Sequence, residues 1–232
     1  MDNRLRSDLG SQDLLNKVAA AECIEARSQL YRCFALAFTH PGDDFLECLF
    51  DGEYLRTLLE LGDGLPYPTP FENSHEALIP PGTRKQDIGI FFTTCFEAGS
   101  QAVSLRESGY STLAEKALLE ELFRFYQFFG LDIAKRGLPE LPDTLSVELE
   151  FLHYLTYLEA NSVRASGERR NTVALQRAQR DFVDIHPGSW IQPFAARLSD
   201  VVDGEIYARL AELLSCFVRS EMRHSRTGSH PA

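Results

Sequence analysis

The stretch Pro139–Ala160, PELPDTLSVELEFLHYLTYLEA, decides the fold class of this chain. Its two prolines exclude a helix before Asp143, whose short side chain is suited to cap the free amides of a first helical turn. The apolar side chains that follow sweep out a broad arc at about 100° per residue, typical of a helix at the centre of a bundle. Glu148 projects into the middle of that arc, so we expect its carboxyl group to need a buried partner.

The same periodicity recurs through the chain and predicts an all-α, single-domain helical bundle of roughly eight to ten helices. We expect the disordered ends to be residues 1–10 and 225–232, with residues 11–224 forming the domain. The organising helix runs to about residue 164, and the remaining predicted helices span 11–39, 45–61, 84–97, 112–129, 168–185, 190–202 and 205–223. The proline-rich segment 62–82 predicts a long loop between two of them.

Composition limits the classes of partner. The formal net charge of −11 argues against binding to nucleic acid or to anionic membranes, and it is compatible with basic peptides. The five cysteines form no C-x-x-C pair and are typical of reduced thiols. The N-terminal residues lack the apolar core of a signal peptide, and no apolar run reaches membrane-spanning length. We therefore expect a cytoplasmic protein without stable membrane insertion.

Metal binding is the alternative that the residues leave open. Glu-x-x-His, a motif of carboxylate-bridged metal bundles, occurs three times, but only Glu150 and His153 lie in a strongly predicted helix. A helical metalloenzyme with its site at this pair is therefore the competing hypothesis. The sequence contains no G-x-S-x-G motif and no Walker or Rossmann glycine loop, so nothing predicts a hydrolase or a nucleotide site.

The segment before the organising helix resembles a known motif. Glu140-Leu141-Pro142-Asp143-Thr144 is similar to the E-x-P-D-H motif of the TorD/DmsD family, the cytoplasmic chaperones dedicated to molybdenum enzymes of the dimethyl sulfoxide reductase type. Thr144 stands where the family has histidine. The leucine-rich helix that follows is similar to that of the chaperones serving the type II enzymes of this kind.

Three further segments resemble the family in the expected order. Phe92-Thr93-Thr94-Cys95-Phe96 is similar to its aromatic-x-x-Leu-Phe motif, with Cys95 in place of leucine. The residues 105–110, Leu-Arg-Glu-Ser-Gly-Tyr, resemble its Leu-Tyr-Glu-Ser-x-Tyr loop, and His186–Phe194 resembles the turn between its final helices. Together these segments cover the chain from about residue 84 to residue 200.

The resemblance implies a non-catalytic chaperone that binds the twin-arginine leader, or the body, of a molybdoenzyme catalytic subunit, assists cofactor insertion and delays export. It implies no metal or cofactor of its own, and a monomer or homodimer. The leader presents arginines and then an apolar segment, which need carboxylates and an aromatic floor. The residues predicted to bind the peptide are Phe92, Phe96, Glu97, Tyr110, Asp143, Thr144, Glu148, Glu150 and His153.

Each of these residues also has a structural interpretation. Phe92 and Phe96 lie one helical turn apart, as two core side chains would. Asp143 can serve as a simple N-cap, and Glu148 can be a buried acid that is hydrogen-bonded to a loop backbone. The sequence leaves these alternatives open.

Overall fold

The computed structural model describes residues 2–69, 71, 78–98, 103–131, 141–165, 169–201 and 205–227, with the backbone only for 2–15, 169, 205 and 227. Its nine α-helices in these ranges are α1 Asp2–Ala37, α2 Asp43–Phe50, α3 Glu53–Asp63, α4 Lys85–Phe92, α5 Glu115–Phe128, α6 Leu145–Arg164, α7 Arg169–Ile185, α8 Pro187–Ser199 and α9 Glu205–Thr227. A π-helical turn, Thr93–Glu97, extends α4. The described residues contain no β-strand, which confirms the predicted all-α bundle, and none of their helices is long and apolar enough to cross a bilayer.

The helix predicted to organise the chain, α6, lies at the centre of the bundle. It packs most extensively against α1 and also contacts α7 and α8. Eleven of its twenty residues are buried, and two of these, Glu148 and Glu159, carry a carboxyl group. The predicted burial of Glu148 in an apolar face is therefore confirmed, whereas Glu159 is a second buried acid that the apolar pattern alone did not reveal.

Several helix boundaries differ from the prediction. α1 begins at Asp2 instead of residue 11, and α9 continues to Thr227. The single helix predicted for 45–61 is broken at Gly52, whose φ of 73° lies in the left-handed region that favours glycine. The division into a domain with disordered ends stays a prediction, and residues 228–232 lie outside the described chain.

The proline-rich loop between α3 and α4 is anchored in the core. Phe71 is 1% exposed, and its ring lies 6.1 Å from that of Phe34 in α1 and 6.4 Å from that of Phe217 in α9. Tyr67, four residues earlier, reaches a carboxylate of α9, Glu221. The described part of this loop therefore covers the side of the bundle formed by α1 and α9.

Candidate functional site

Two of the segments that carry the resemblance lie against each other at the start of α6. They are residues 103–110 and 141–145, which we call the motif clasp. The backbone amide of Leu145 donates a hydrogen bond to the carbonyl of Leu105 at 2.8 Å, next to an isolated β-bridge between the two segments. The clasp brings together loop residues that are far apart in the sequence and fixes how the chain enters α6.

Asp143 holds the clasp through its side chain. Its carboxylate is fully buried and accepts hydrogen bonds from Arg106 Nε at 3.0 Å and from the backbone amide of Ser108 at 3.3 Å. The prediction that Asp143 caps the helix is wrong: the N-cap residue is Thr144, and its side chain makes no capping hydrogen bond. Asp143 binds the neighbouring loop instead, because the loop supplies a guanidinium and an amide close to it.

Glu148 lies beneath the clasp, one turn into α6. It is fully buried, and its Oε2 accepts a hydrogen bond from Trp190 Nε1 of α8 at 3.1 Å. The carboxyl group of Glu107, from the clasp, lies beside it. Glu107 Oε2 in turn accepts a hydrogen bond from His186 Nδ1 at 2.9 Å. The partners of Glu148 are therefore the indole of Trp190 and a second acid, Glu107. The sequence alone had suggested a hydrogen bond to a loop backbone instead.

The electrostatics around Glu148 and Glu107 favour the protonated form of Glu148. Burial raises the pKa of Glu148 well above its usual range, and the adjacent Glu107 raises this pKa further. Glu148 Oε1 and His186 Nε2 are the buried side-chain polar atoms that have no hydrogen-bond partner among the described residues. A neutral Glu148 can donate its proton to Glu107, which avoids two adjacent buried charges.

The aromatic residues predicted to form a peptide floor make a continuous row. Phe92 packs against Phe96 with ring centroids 5.0 Å apart, Phe96 stacks on Phe194 at 6.4 Å, and Tyr110 stacks on Trp190 at 5.3 Å. Phe92 is 4% exposed and belongs to the core, while Phe96 and Tyr110 are half-buried at its edge. Burial raises the pKa of Tyr110 to about 12, so its hydroxyl stays protonated at neutral pH.

The remaining predicted residues lie apart from one another. Thr144 is half-buried in the clasp, and Glu97 is exposed at the end of the π-helical turn. Glu150 is exposed on α6. His153 is half-buried against α1, where its Nδ1 lies 2.9 Å from the carbonyl of Ser28, and burial lowers its pKa. The structure thus brings the aromatic row and the clasp together but places Glu150 and His153 outside that group.

The described residues contain no group of three His, Cys, Asp or Glu side chains that could hold a metal ion. Glu72 and His75, one of the three Glu-x-x-His pairs, lie outside the described chain. In a second pair, Glu221 binds the chain's own Arg27 through two hydrogen bonds from Nε, both 3.1 Å long. The described geometry therefore gives the metal hypothesis no supporting arrangement.

A second buried polar group, which the sequence did not predict, lies near the C-terminal end of α6. Arg27 of α1 donates from Nη2 to Glu221 Oε2 at 2.9 Å and to Gln179 Oε1 at 3.0 Å, and its Nη1 lies 3.5 Å from Glu159 Oε2. We call these four residues the arginine cluster. Glu159 lies eleven residues after Glu148, about three turns along the same face of α6. This spacing from Glu148 is the sequence signal that could have indicated the burial of Glu159.

Two cavities flank α7. A polar cavity of about 400 Å³ opens above the arginine cluster. On the opposite side, an apolar cavity of about 690 Å³ lies between the end of α5 and α7, and we call it the α5/α7 groove. Its apolar walls are formed by Phe125, Phe128, Phe129, Ala174, Leu175 and Ala178. The arrangement offers binding surfaces, and we find no catalytic constellation among the residues that the structure describes.

Comparison with known proteins agrees with the resemblance. Residues 73–196, more than half of the chain, match the family described as "Nitrate reductase delta subunit". The chain is 31% identical to the perchlorate reductase assembly chaperone protein of Dechloromonas aromatica, over 90% of this chain and 95% of that protein. It is 32% identical to the selenate reductase assembly chaperone protein of Thauera selenatis, over 67% and 78%.

A third relative is the dimethyl sulfide dehydrogenase assembly chaperone protein of Rhodovulum sulfidophilum, 30% identical over 76% of this chain and 69% of that protein. The matches extend over most of each chain, so they relate whole proteins rather than one shared motif. They favour a chaperone over the metalloenzyme alternative. This chain belongs to the TorD/DmsD family of reductase assembly chaperones.

Proposed function

We propose that this protein is a cytoplasmic, non-catalytic chaperone for the catalytic subunit of a molybdenum enzyme of the dimethyl sulfoxide reductase type. The observation that carries the proposal is the similarity to the assembly chaperones for perchlorate and selenate reductases, which extends over 90% and 67% of this chain. The dimethyl sulfide dehydrogenase chaperone is a further relative of this kind. The client is accordingly a type II enzyme whose catalytic subunit is held until its molybdenum cofactor is inserted.

The chaperone binds the twin-arginine leader of that subunit, its body, or both. The half-buried Phe96 and Tyr110 give an aromatic edge for apolar side chains, and the exposed carboxylate of Glu97 lies at the same end of α4. Asp143 and Glu148 are fully buried, so they support this surface by holding the motif clasp and its neighbours in place. The net charge of −11 favours encounter with a basic leader.

Affinity purification from the native host tests the proposal. The tagged chain is recovered under mild conditions, and the bound proteins are identified by mass spectrometry, with the tag alone as the control. We expect a molybdoenzyme catalytic subunit whose leader is uncleaved. Recovery of the subunit without its leader would limit the function to the body of the client, and recovery of no such subunit would contradict the proposal.

A further inference from the structure

The α5/α7 groove contains the most exposed large apolar side chain among the described residues. Phe128, the last residue of α5, is 83% exposed, whereas most aromatic side chains of this chain are buried. Among the described residues, its ring makes one aromatic contact, with its neighbour Phe129, at a centroid distance of 5.0 Å. An exposed aromatic beside an apolar cavity of about 690 Å³ is typical of a docking surface.

The charges at the rim indicate what kind of segment the groove accepts. Arg124 on the α5 wall and Arg177 on the α7 wall both line it, and their side chains are 79% and 75% exposed. Asp181 is the one acidic residue among the described residues of this lining, and its Oδ2 lies 3.4 Å from Arg177 Nε. Arg124 Nη2 lies 3.9 Å from Glu120 of its own helix, but an exposed ion pair at this distance contributes little, and the two arginines outnumber the one carboxylate of the lining. The described rim therefore carries a small positive charge on a chain that is strongly acidic overall. Charges beyond about 8 Å are largely screened at physiological salt, so these local arginines decide the contact.

We propose that the α5/α7 groove docks an apolar helical segment of the client subunit that carries carboxylates beside its apolar face. This inference rests on the proposed function and names a part of the client that its leader does not supply, because leader arginines would meet Arg124 and Arg177 with like charge. The apolar face enters between Phe128 and Leu175, and the flanking acids pair with the two guanidiniums. The groove is thus a site for the body of the client.

The geometry suits a helix. α5 and α7 form two walls, and an amphipathic helix places side chains at i, i+3, i+4 and i+7 along one such trough. Most of the affinity comes from apolar burial, since an exposed ion pair contributes little. The arginines therefore set the preference between acidic and basic segments more than the strength of binding.

Fluorescence anisotropy on the intact chain tests this inference with two synthetic probes. Both are labelled helical peptides with a leucine-alanine apolar face, one flanked by glutamates and the other by lysines. We expect the glutamate-flanked peptide to bind more tightly. A double charge reversal, Arg124→Glu with Arg177→Glu, should reverse this preference while both peptides keep the same apolar face.

A matched pair of neutral substitutions tests the location. Phe128→Gln should weaken binding of the glutamate-flanked peptide by about tenfold or more, as expected for losing one large apolar contact. Ile90→Gln on α4 is the control, because Ile90 is also exposed, at 59%, but lines neither cavity. Both side chains are exposed, so neither change should unfold the bundle, which circular dichroism checks.

Three outcomes would overturn the inference: tighter binding of the lysine-flanked peptide, no saturable binding of either probe, or equal losses in the Phe128 and Ile90 variants. Dimerisation of the free chain that Phe128→Gln abolishes in analytical ultracentrifugation would also overturn it, since a second copy would then cover the groove. Failure of the proposed function is distinguishable, because the purification from the host would then yield no catalytic subunit, whatever the peptides do.

Discussion

Glu148 and Glu159 lie about three turns apart on the same buried face of α6, and they are accommodated in opposite ways. Glu159 belongs to the arginine cluster, where the guanidinium of Arg27 lies between two carboxylates. Glu148 faces another acid, Glu107, and its charge is removed by a proton instead. One helix face therefore holds an acid that is paired with a guanidinium and an acid that is paired with a second acid.

The hydrogen bonds explain the difference. Both oxygens of Glu159 accept from side-chain amides, Gln176 Nε2 at 2.8 Å and Gln179 Nε2 at 2.9 Å. Glu148 has one donor, the indole of Trp190, and its Oε1 has none. A buried carboxylate needs several donors to remain charged, so the proton stays on Glu148 where the donors are missing.

The two buried acids also belong to groups with different roles. The arginine cluster joins side chains of α1, α6, α7 and α9 through the guanidinium of Arg27, so it suits a structural role. The group around Glu148 lies directly under the motif clasp and depends on a titrating acid. We therefore expect substitutions in the two groups to lower the free energy of unfolding by different amounts, with a dependence on pH for the group around Glu148.

The largest effect is expected for Arg27→Met. This change keeps the apolar stem of the side chain but leaves the carboxylates of Glu159 and Glu221 buried without their cation. We expect the free energy of unfolding to fall by about 3–5 kcal/mol at neutral pH, measured by urea denaturation.

Arg164→Met is the matched control for Arg27. Arg164 pairs with Glu25 at the surface, where solvent screens the pair, so its removal should change stability little. Adding Glu159→Gln and Glu221→Gln to Arg27→Met should restore part of the loss, because the unpaired charges are then gone. Equal losses of unfolding free energy in the Arg27 and Arg164 variants would show that the arginine cluster stabilises the fold no more than a surface ion pair does.

The next effect is expected in the motif clasp. Asp143→Ala removes the acceptor of Arg106 Nε, although Nη2 still pairs with Glu115, and it leaves the amide of Ser108 without its acceptor. We expect the free energy of unfolding in urea to fall by about 1.5–3 kcal/mol. Thr144→Ala should cost less than about 0.5 kcal/mol, because the N-cap side chain makes no capping bond. The reverse order of the two losses would mean that Asp143 stabilises the chain as a helix cap after all.

The sequence predicts α6 well because its signals are local. Pro142 and the apolar period fix the helix from Leu145 to Arg164, and the intrusion of Glu148 into the apolar face requires a buried acid. The partner of that acid could not be predicted, because Trp190 lies 42 residues further along the chain and only the packing of α8 on α6 brings it near. The same limit applies to Asp143, whose loop partners outcompete the helix end.

Two further features, the helix break at Gly52 and the arginine cluster, could have been predicted from the sequence. The break at Gly52 follows from an Asp-Gly pair that favours a turn, although the apolar period continues across it. The eleven-residue spacing of the two buried acids could have indicated the arginine cluster from α6 alone. The α5/α7 groove could not have been predicted, because Phe128 continues the apolar run of α5 and only the packing leaves it exposed.

Glu148→Gln separates the structural role of this acid from a role in binding. The pKa of Glu148 is raised in the folded chain, so its contribution to stability falls as pH rises from its ordinary value of 4.5 towards the folded value. The slope reaches about 1.4 kcal/mol per pH unit over that window. Glutamine keeps the acceptor for Trp190 and can donate to Glu107, so urea unfolding of the variant should lack this slope.

The same variant tests the predicted contact between Glu148 and a client peptide. If the neutral acid is structural, Glu148→Gln should bind the leader peptide of the client as the wild type does, with the fold retained. If a charged Glu148 accepts a leader arginine, the variant should bind more weakly, and binding to the wild type should then release a proton. Calorimetry in buffers of different ionisation enthalpy measures that release.

The smallest effect is expected for Glu150→Gln, two residues after Glu148 on α6. Glu150 is exposed, so the change should alter the free energy of unfolding by less than about 0.5 kcal/mol. It also separates the two predicted uses of this residue. A carboxylate that receives a leader arginine in an exposed pair should weaken leader binding only a few-fold when it is neutralised. Loss of a stoichiometric metal from the purified variant would instead revive the Glu150/His153 site, which elemental analysis of variant and wild type decides.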